Sequence, residues 1–217
     1  MIRQITCGTA NCFIISEKDS AVLVDTGTAA YRKKILRACA GKNVKLIVLT
    51  HGHYDHAQNA AFLSRALGAP VAMHPADLPV LRDVLAEPIA AHTRRGKVLA
   101  GVIRLGRGPA LRKFTARAFG NPDFVPEIEL CDGFSLEPYG VAARVAALPG
   151  HTRGSVGVVA GKDVLAGDAL MHIGKPGPAL HYVDRAAMET SAAKLTALGK
   201  DVMIWFGHGR AIPLARM

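Results

Sequence analysis

The stretch Thr50-His51-Gly52-His53-Tyr54-Asp55-His56 follows directly on the segment Lys45-Leu46-Ile47-Val48-Leu49, and this junction decides the reading of the chain. It places three imidazoles and a carboxylate within six residues at the end of an apolar strand, which makes a metal-binding loop. Alternate side chains of an extended segment point the same way, so His51 and His53 can grip one ion. Asp55 and His56 fall one turn further on and face a second. Imidazole nitrogen and carboxylate oxygen suit zinc, and also iron or manganese. The competing reading is a polar loop that happens to be rich in histidine. Four ligand-type residues at this density after a buried strand weigh against it.

Three further candidate ligands stand downstream. His151 lies in Leu148-Pro149-Gly150-His151-Thr152, Asp168 in Val164-Leu165-Ala166-Gly167-Asp168, and His208 in Trp205-Phe206-Gly207-His208-Gly209. Each follows an apolar run and adjoins a glycine, which lets backbone turn sharply and approach an ion closely. Three strand ends therefore converge on one rim.

Taken in order, the motifs HGHYDH (51–56), PGH (149–151), GD (167–168) and GHG (207–209) resemble those of the metallo-β-lactamase superfamily of metallohydrolases. The likeness runs from the turn Leu23-Val24-Asp25-Thr26-Gly27 to His208, and leaves about residues 75–130 without a counterpart. It implies a first metal on His51, His53 and His151, a second on Asp55, His56 and His208, and Asp168 bridging both. The expected cofactor is two zinc ions, with iron or manganese as alternatives. Asp25 matches a family aspartate near the cluster and is expected to orient a ligand imidazole, against the alternative that it only caps its Asp-Thr-Gly turn.

The implied chemistry is hydrolysis. Water held between two divalent metals has its pKa lowered from about 15.7 toward about 7, so a bridging hydroxide can attack a thioester, ester or lactone carbonyl. Asp55 is the expected catalytic proton shuttle. The chain has no Gly-x-Ser-x-Gly elbow and no Walker-type loop, so a serine triad and a nucleotide triphosphatase lack support.

The likeness is nearest in style to the glyoxalase II-like hydrolases. Only nine residues follow His208, so the C-terminal region that grips glutathione in glyoxalase II has no equivalent in this sequence. Alternatives are a mononuclear-iron persulfide dioxygenase, using positions matching His51, His151 and Asp168, and a phosphodiesterase or nuclease of the same superfamily. A non-catalytic binding protein ranks last, because seven crowded ligand side chains are costly to keep for structure alone.

A chain of 217 residues, half of them hydrophobic, can bury one substantial core, so residues 1–217 read as a single domain. The pattern predicts strands near Ile2–Thr6, Cys12–Ser16, Ala21–Val24, Val44–Leu49, Val71–Met73, Val141–Ala147, Ser155–Ala160, Asp163–Ala166 and Val202–Phe206. Helices are expected over Ala29–Ala40, after His56 (Ala60, Leu63, Leu67) and over Arg185–Leu198. Periodicity alone allows several α/β folds. The resemblance implies a four-layer αβ/βα sandwich.

Residues 75–130, with Pro75, Pro79, Pro88, Pro109, Pro122 and Pro126, read as a basic helical insertion of short helices and loops rather than strands. Between Arg82 and Arg117 nine Lys or Arg face two Asp or Glu, a balance of 9 − 2 = +7 within a chain total of +10. Such a face is often only solvated surface. The functional reading is a cationic lid, including Arg104, Arg107 and Arg112, whose field draws an anionic small-molecule substrate.

Tyr54, Arg153, His172 and His181 lie near the motifs and are candidates for substrate contact, each with a packing or surface role as the alternative. The four cysteines, at 7, 12, 39 and 131, have no CxxC spacing and read as buried free thiols. The N-terminal Met1–Cys7 has no secretory pattern and no stretch reaches membrane-spanning length, so the reading is a cytoplasmic protein with no membrane partner. Nucleic acid is disfavoured as a partner for want of an aromatic stacking cluster or an added domain. Oligomeric state is not legible.

Overall fold

The computed structural model describes residues 1–83, 85–91, 93–105 and 124–217. Six strands form the first sheet: β1 (Ile2–Cys7), β2 (Ala10–Glu17), β3 (Ser20–Val24), β4 (Asn43–Val48), β5 (Val71–Met73) and β6 (Ile128–Glu129), lying side by side in that order. The first three run antiparallel, and β3 to β6 are parallel. The second sheet has the order β13-β12-β9-β8-β7, built from β7 (Arg144–Ala147), β8 (Val156–Ala160), β9 (Asp163–Leu165), β12 (Met203–Trp205) and β13 (Ile212–Pro213). A separate hairpin pairs β10 (Leu170–Ile173) with β11 (Lys175–Pro178).

Alternation along the strands sends side chains to both faces of each sheet. Phe13, Ile15, Val22, Val24, Leu46 and Val48 of the first sheet meet Val145, Val156, Val158 and Leu165 of the second in one buried cluster. The opposite face of the first sheet, with Ile5, Ile14, Leu23 and Ile47, buries Ile35, Ala38 and Cys39 of α1 (Arg32–Cys39) and Ala60 and Leu63 of α3 (Ala60–Leu67). The outer face of the second sheet, with Val164 and Ile204, covers Leu195 of α6 (Arg185–Thr196). Helix, sheet, sheet, helix is the four-layer αβ/βα sandwich expected.

α1 is shorter than read, because Ala29–Tyr31 forms a 3-10 turn before it. α3 ends at Gly68, whose φ of 64° is the left-handed conformation that closes a helix without steric cost. α6 starts at Asp184, whose side chain accepts from Ala187 N–H at 3.0 Å.

Residues 75–130 need one correction. α4 (Leu78–Arg82) and α5 (Arg94–Leu105) are helical as expected, but Ile128–Glu129 is a strand of the main sheet, paired in parallel with β5. Backbone bonds from Glu127 N–H to Val71 O (2.9 Å) and from Leu130 N–H to Met73 O (3.0 Å) extend that pairing. A two-residue strand has no periodicity to read. The β10–β11 hairpin escaped notice for the same kind of reason, being built from a Gly/Pro-rich run that reads as loop. Arg107 and Arg112 of the expected lid lie outside the described residues, as does the side chain of Arg104.

Cys7, Cys12 and Cys39 are buried free thiols, whereas Cys131 is exposed, against the expectation that all were buried. Cys7 and Cys12 lie with their sulfurs 3.8 Å apart. No helix among the described residues is long and apolar enough to cross a membrane.

Candidate metal centre

Every loop of the cluster leaves the C-terminal end of a strand: Asp25 after β3, residues 51–56 after β4, His151 after β7, Asp168 after β9 and His208 after β12. The two sheets are stitched together at this rim. Val156 N–H donates to Thr50 O (2.8 Å) and Asn11 N–H to Gly207 O (2.8 Å) across the sheets, while the bond from Gly207 N–H to Gly167 O (2.9 Å) extends the β9–β12 pairing within the second. The short α2 (Tyr54–Ala57) carries Asp55 and His56 back under the loop.

All seven candidate ligands meet there. Their donor atoms form three groups: His51, His53 and His151; His51, His56 and Asp168; and Asp55, His56 and His208. His53 Nδ1 lies 3.0 Å from His151 Nε2, and His56 Nε2 lies 3.3 Å from His208 Nε2. Asp168 reaches both sides. Its Oδ2 is 3.5 Å from His151 Nε2 and 3.3 Å from His208 Nε2, and its Oδ1 is 3.5 Å from His56 Nε2.

Second partners fix which ring nitrogen faces inward. Nδ1 of His51 meets Thr50 Oγ1 (3.1 Å), that of His56 Asp25 Oδ2 (2.8 Å), that of His151 the carbonyl of His181 (3.0 Å), and that of His208 the carbonyl of Thr9 (2.9 Å). Those four rings present Nε2 to the centre, and His53 alone presents Nδ1. Asp25, at φ 62°, also accepts from Thr50 N–H (2.8 Å) and Thr50 Oγ1–H. Replacing it by Asn, which tolerates that backbone conformation, removes an acceptor for His56. Zinc affinity is expected to fall about 10- to 100-fold, the usual cost of losing a ligand's outer partner, and competition against a chromophoric chelator measures it.

A cation fits these donors. His51 Nε2 and Asp168 Oδ1 are buried without a hydrogen-bond partner among the described residues, which a native core rarely tolerates. The Nε2 atoms of His56 and His208, whose Nδ1 sides are spent on Asp25 and Thr9 O, converge at 3.3 Å and likewise ask for a positive charge between them.

On the His56–His208 side a proton on His56 fills that role in the metal-free protein. Burial opposes a charge on His56, but Asp168, Asp25 and Asp55 outweigh it and raise its pKa to about 10. Burial also opposes charge on His208, and Asp168 again wins and raises it. Asp168 is driven toward its neutral form by burial, yet His208 and His56 hold it well below the usual carboxylate range. His53 goes the other way, pushed down to about 3 by burial and then by His181.

These shifts set the pH response of the metal-free protein. His53 titrates at about 3 when folded against 6.5 ordinarily, so stability is lost as pH falls below 6.5. His56 titrates at about 10, so its contribution is complete below 6.5 and vanishes as pH rises through 10. The melting temperature in excess chelator is expected to peak near the ordinary histidine pKa and decline on both sides. A flat profile in scanning calorimetry would contradict both assignments.

The other candidates are placed differently. His181 lies against the centre, its ring 4.5 Å from that of His151 and 5.6 Å from that of His53. Tyr54 is at the exposed start of α2. Arg153 points outward, its side chain 67% exposed and 3.6 Å from Glu87. His172 is turned to the loop of the last ligand, with Nδ1 2.9 Å from Arg210 O and its ring on Phe206.

Sequence reading missed Asp77. Its buried carboxylate accepts from Gly52 N–H (2.8 Å), Gly154 N–H (2.6 Å) and Thr152 Oγ1–H (2.8 Å), and so ties the loop of His51 and His53 to that of His151. Nothing in His74-Pro75-Ala76-Asp77 signals it. Asn59 was also missed. Its amide donates to Thr26 O (2.8 Å) and Thr28 O (2.7 Å), holding the turn that follows Asp25.

Comparison with known proteins agrees with this architecture. An uncharacterized protein of Mycobacterium tuberculosis is 31% identical over 216 residues, covering 93% of this chain and 86% of its own length. The hydroxyacylglutathione hydrolase GloC of Haemophilus influenzae is 27% identical over 212 residues, covering 96% of this chain and 89% of its own. Among solved structures, the protein TTHA1623 in a di-iron-bound form superposes with a TM-score of 0.69 at 26% identity, over 99% of this chain and 95% of its own. The family model of the metallo-beta-lactamase superfamily matches residues 5–208, from β1 to the last histidine of the centre, and the chain belongs to that superfamily.

Proposed function

We propose that this chain is a metal-dependent hydrolase that cleaves a thioester, ester or lactone bond in a small anionic substrate. The observation that carries this reading is the convergence of seven His and Asp side chains in which two donor atoms, His51 Nε2 and Asp168 Oδ1, are buried without partners among the described residues. His51, His53 and His151 would hold one divalent cation, Asp55, His56 and His208 a second, with Asp168 shared. Zinc suits the donors, and iron or manganese are the alternatives. When bound, such a pair supplies an activated water at neutral pH and Lewis-acid polarisation of a carbonyl oxygen.

The chain's own residues supply orientation and proton traffic. Asp25, Thr50, Thr9 and the His181 carbonyl hold four imidazoles in register. Asp55 is the part-exposed carboxylate of the set, with Oδ2 3.4 Å from His208 Nε2. It is therefore the group placed to take a proton inside the centre and deliver it to a leaving group at the surface. The net charge of +10 favours anionic substrates. The name of the Haemophilus relative supports a thioester among the bonds considered.

The test couples metal analysis of protein purified without added metal to a panel of thioesters, esters, lactones and phosphodiesters. About two metals per chain with thioester or lactone turnover is the expected result. One iron per chain with oxygen consumption on a persulfide would overturn the hydrolase reading, as would inertness of the metal-replete protein toward the whole panel.

A further inference from the structure

Among the described residues, two of the buried atoms without a hydrogen-bond partner belong to the candidate ligand set, but a third, His181 Nδ1, does not. It is in none of the three ligand groups, so a metal leaves it unanswered. Its ring lies over His151 and His53, the pair whose nitrogens converge at 3.0 Å.

The residue is also held rigidly. Its carbonyl accepts from His151 Nδ1 at 3.0 Å. On one side of it Tyr182 exchanges backbone bonds of 2.9 Å with Ala90, and Val183 and Asp184 N–H both donate to Gly150 O, at 2.8 and 3.1 Å. A ring on a pinned backbone, packed against two candidate ligand rings and left with a nitrogen unpaired among the described residues, is preorganised for a ligand rather than for the fold.

We propose that His181 is a further catalytic residue, whose imidazole donates a hydrogen bond to the acyl oxygen of the substrate on the His53–His151 side of the centre. The two ends of the centre then differ in chemistry. Asp55 stands at the His56–His208 end, where a carboxylate can carry a proton to the leaving group. His181 stands at the other end, where a neutral imidazole N–H can meet the oxygen on which negative charge grows during attack. This assignment rests on the hydrolase reading above.

The test compares the metal-loaded full chain with His181→Leu and His181→Gln, using phenyl thioacetate as substrate. His181→Leu is expected to lower kcat/KM about 100-fold, the scale of a lost donor to a developing oxyanion. His181→Gln, which retains an N–H, is expected to recover part of that loss and serves if the Leu variant does not fold. Metal content should match wild type in both. A second readout needs no turnover: calorimetric affinity for acetohydroxamate should fall about 10-fold in His181→Leu. Unchanged kcat/KM and hydroxamate affinity would overturn the proposal and leave the hydrolase reading standing. Loss of metal would also overturn it, by making His181 a ligand. A wild type inert toward the whole panel of thioesters, esters, lactones and phosphodiesters, whose hydroxamate affinity still depends on His181, would sink the hydrolase reading instead, and would support His181 as the ligand-binding group.

Discussion

Asp168→Ala is expected to reduce bound metal from about two per chain to one or none, and turnover by more than the roughly 100-fold that loss of an outer partner can cost. The expectation follows from position. Asp168 is the one candidate ligand whose two oxygens approach histidines of both proposed metal sites, His151 on one side and His56 and His208 on the other. Removing it also deprives His56 and His208 of the carboxylate that raises their pKa values in the metal-free centre. The Asn variant keeps the shape but not the charge, and should fall between Ala and wild type in metal content. Gly207→Ala is an independent route to the same end, because a Cβ there would overlap Asp168 Oδ1 and press on the Gly167 backbone. Elemental analysis alongside thioester turnover decides the matter. Full occupancy with wild-type turnover in Asp168→Ala would remove the residue from the centre.

The centre was legible to the extent that it is contiguous or punctuated by glycine. Four candidate ligands sit within residues 51–56, and the other three each adjoin a glycine after an apolar run, where backbone must turn tightly at a strand end. Alternation and helical spacing likewise located the longer strands and the three longer helices of the outer layers. What escaped depends on partners remote in sequence. Two-residue β6 exists because Glu127 and Leu130 bond the ends of β5, more than fifty residues earlier. His181 and His172 looked alike as loop histidines. Only the folded chain separates them, one lying on His151 and the other turned to Arg210. Arg153 drew attention for its place in the His151 motif, yet its partner is Glu87 from the segment beyond α4.

Asp77→Ala is expected to cost roughly 4 kcal/mol of stability, since it strands buried donors each worth about 1–3 kcal/mol when left unpaired. Thr152 Oγ1 can fall back on Ser155 Oγ, 2.7 Å away, but the N–H groups of Gly52 and Gly154 have no second acceptor among the bonds described. At this chain length the loss corresponds to a drop in melting temperature of about 10 °C. Asn rescues little, because an amide offers one acceptor atom where Oδ1 and Oδ2 each receive a backbone N–H, so one N–H must face an NH2. Nor can either donor's residue be replaced freely: a Cβ at Gly52 would lie 2.7 Å from Leu81 N, and one at Gly154 2.7 Å from Asp77 Oδ1. The effect separates cleanly from that of Asp168. None of these hydrogen bonds of Asp77 goes to a candidate ligand side chain, yet they join the residue between His51 and His53 to the loop that carries His151. Its loss should therefore appear in the chelated protein as well as the metal-loaded one, whereas a ligand variant shifts chiefly the loaded form. Melting curves of both forms within about 2 °C of wild type would show that the two loops hold their spacing without it.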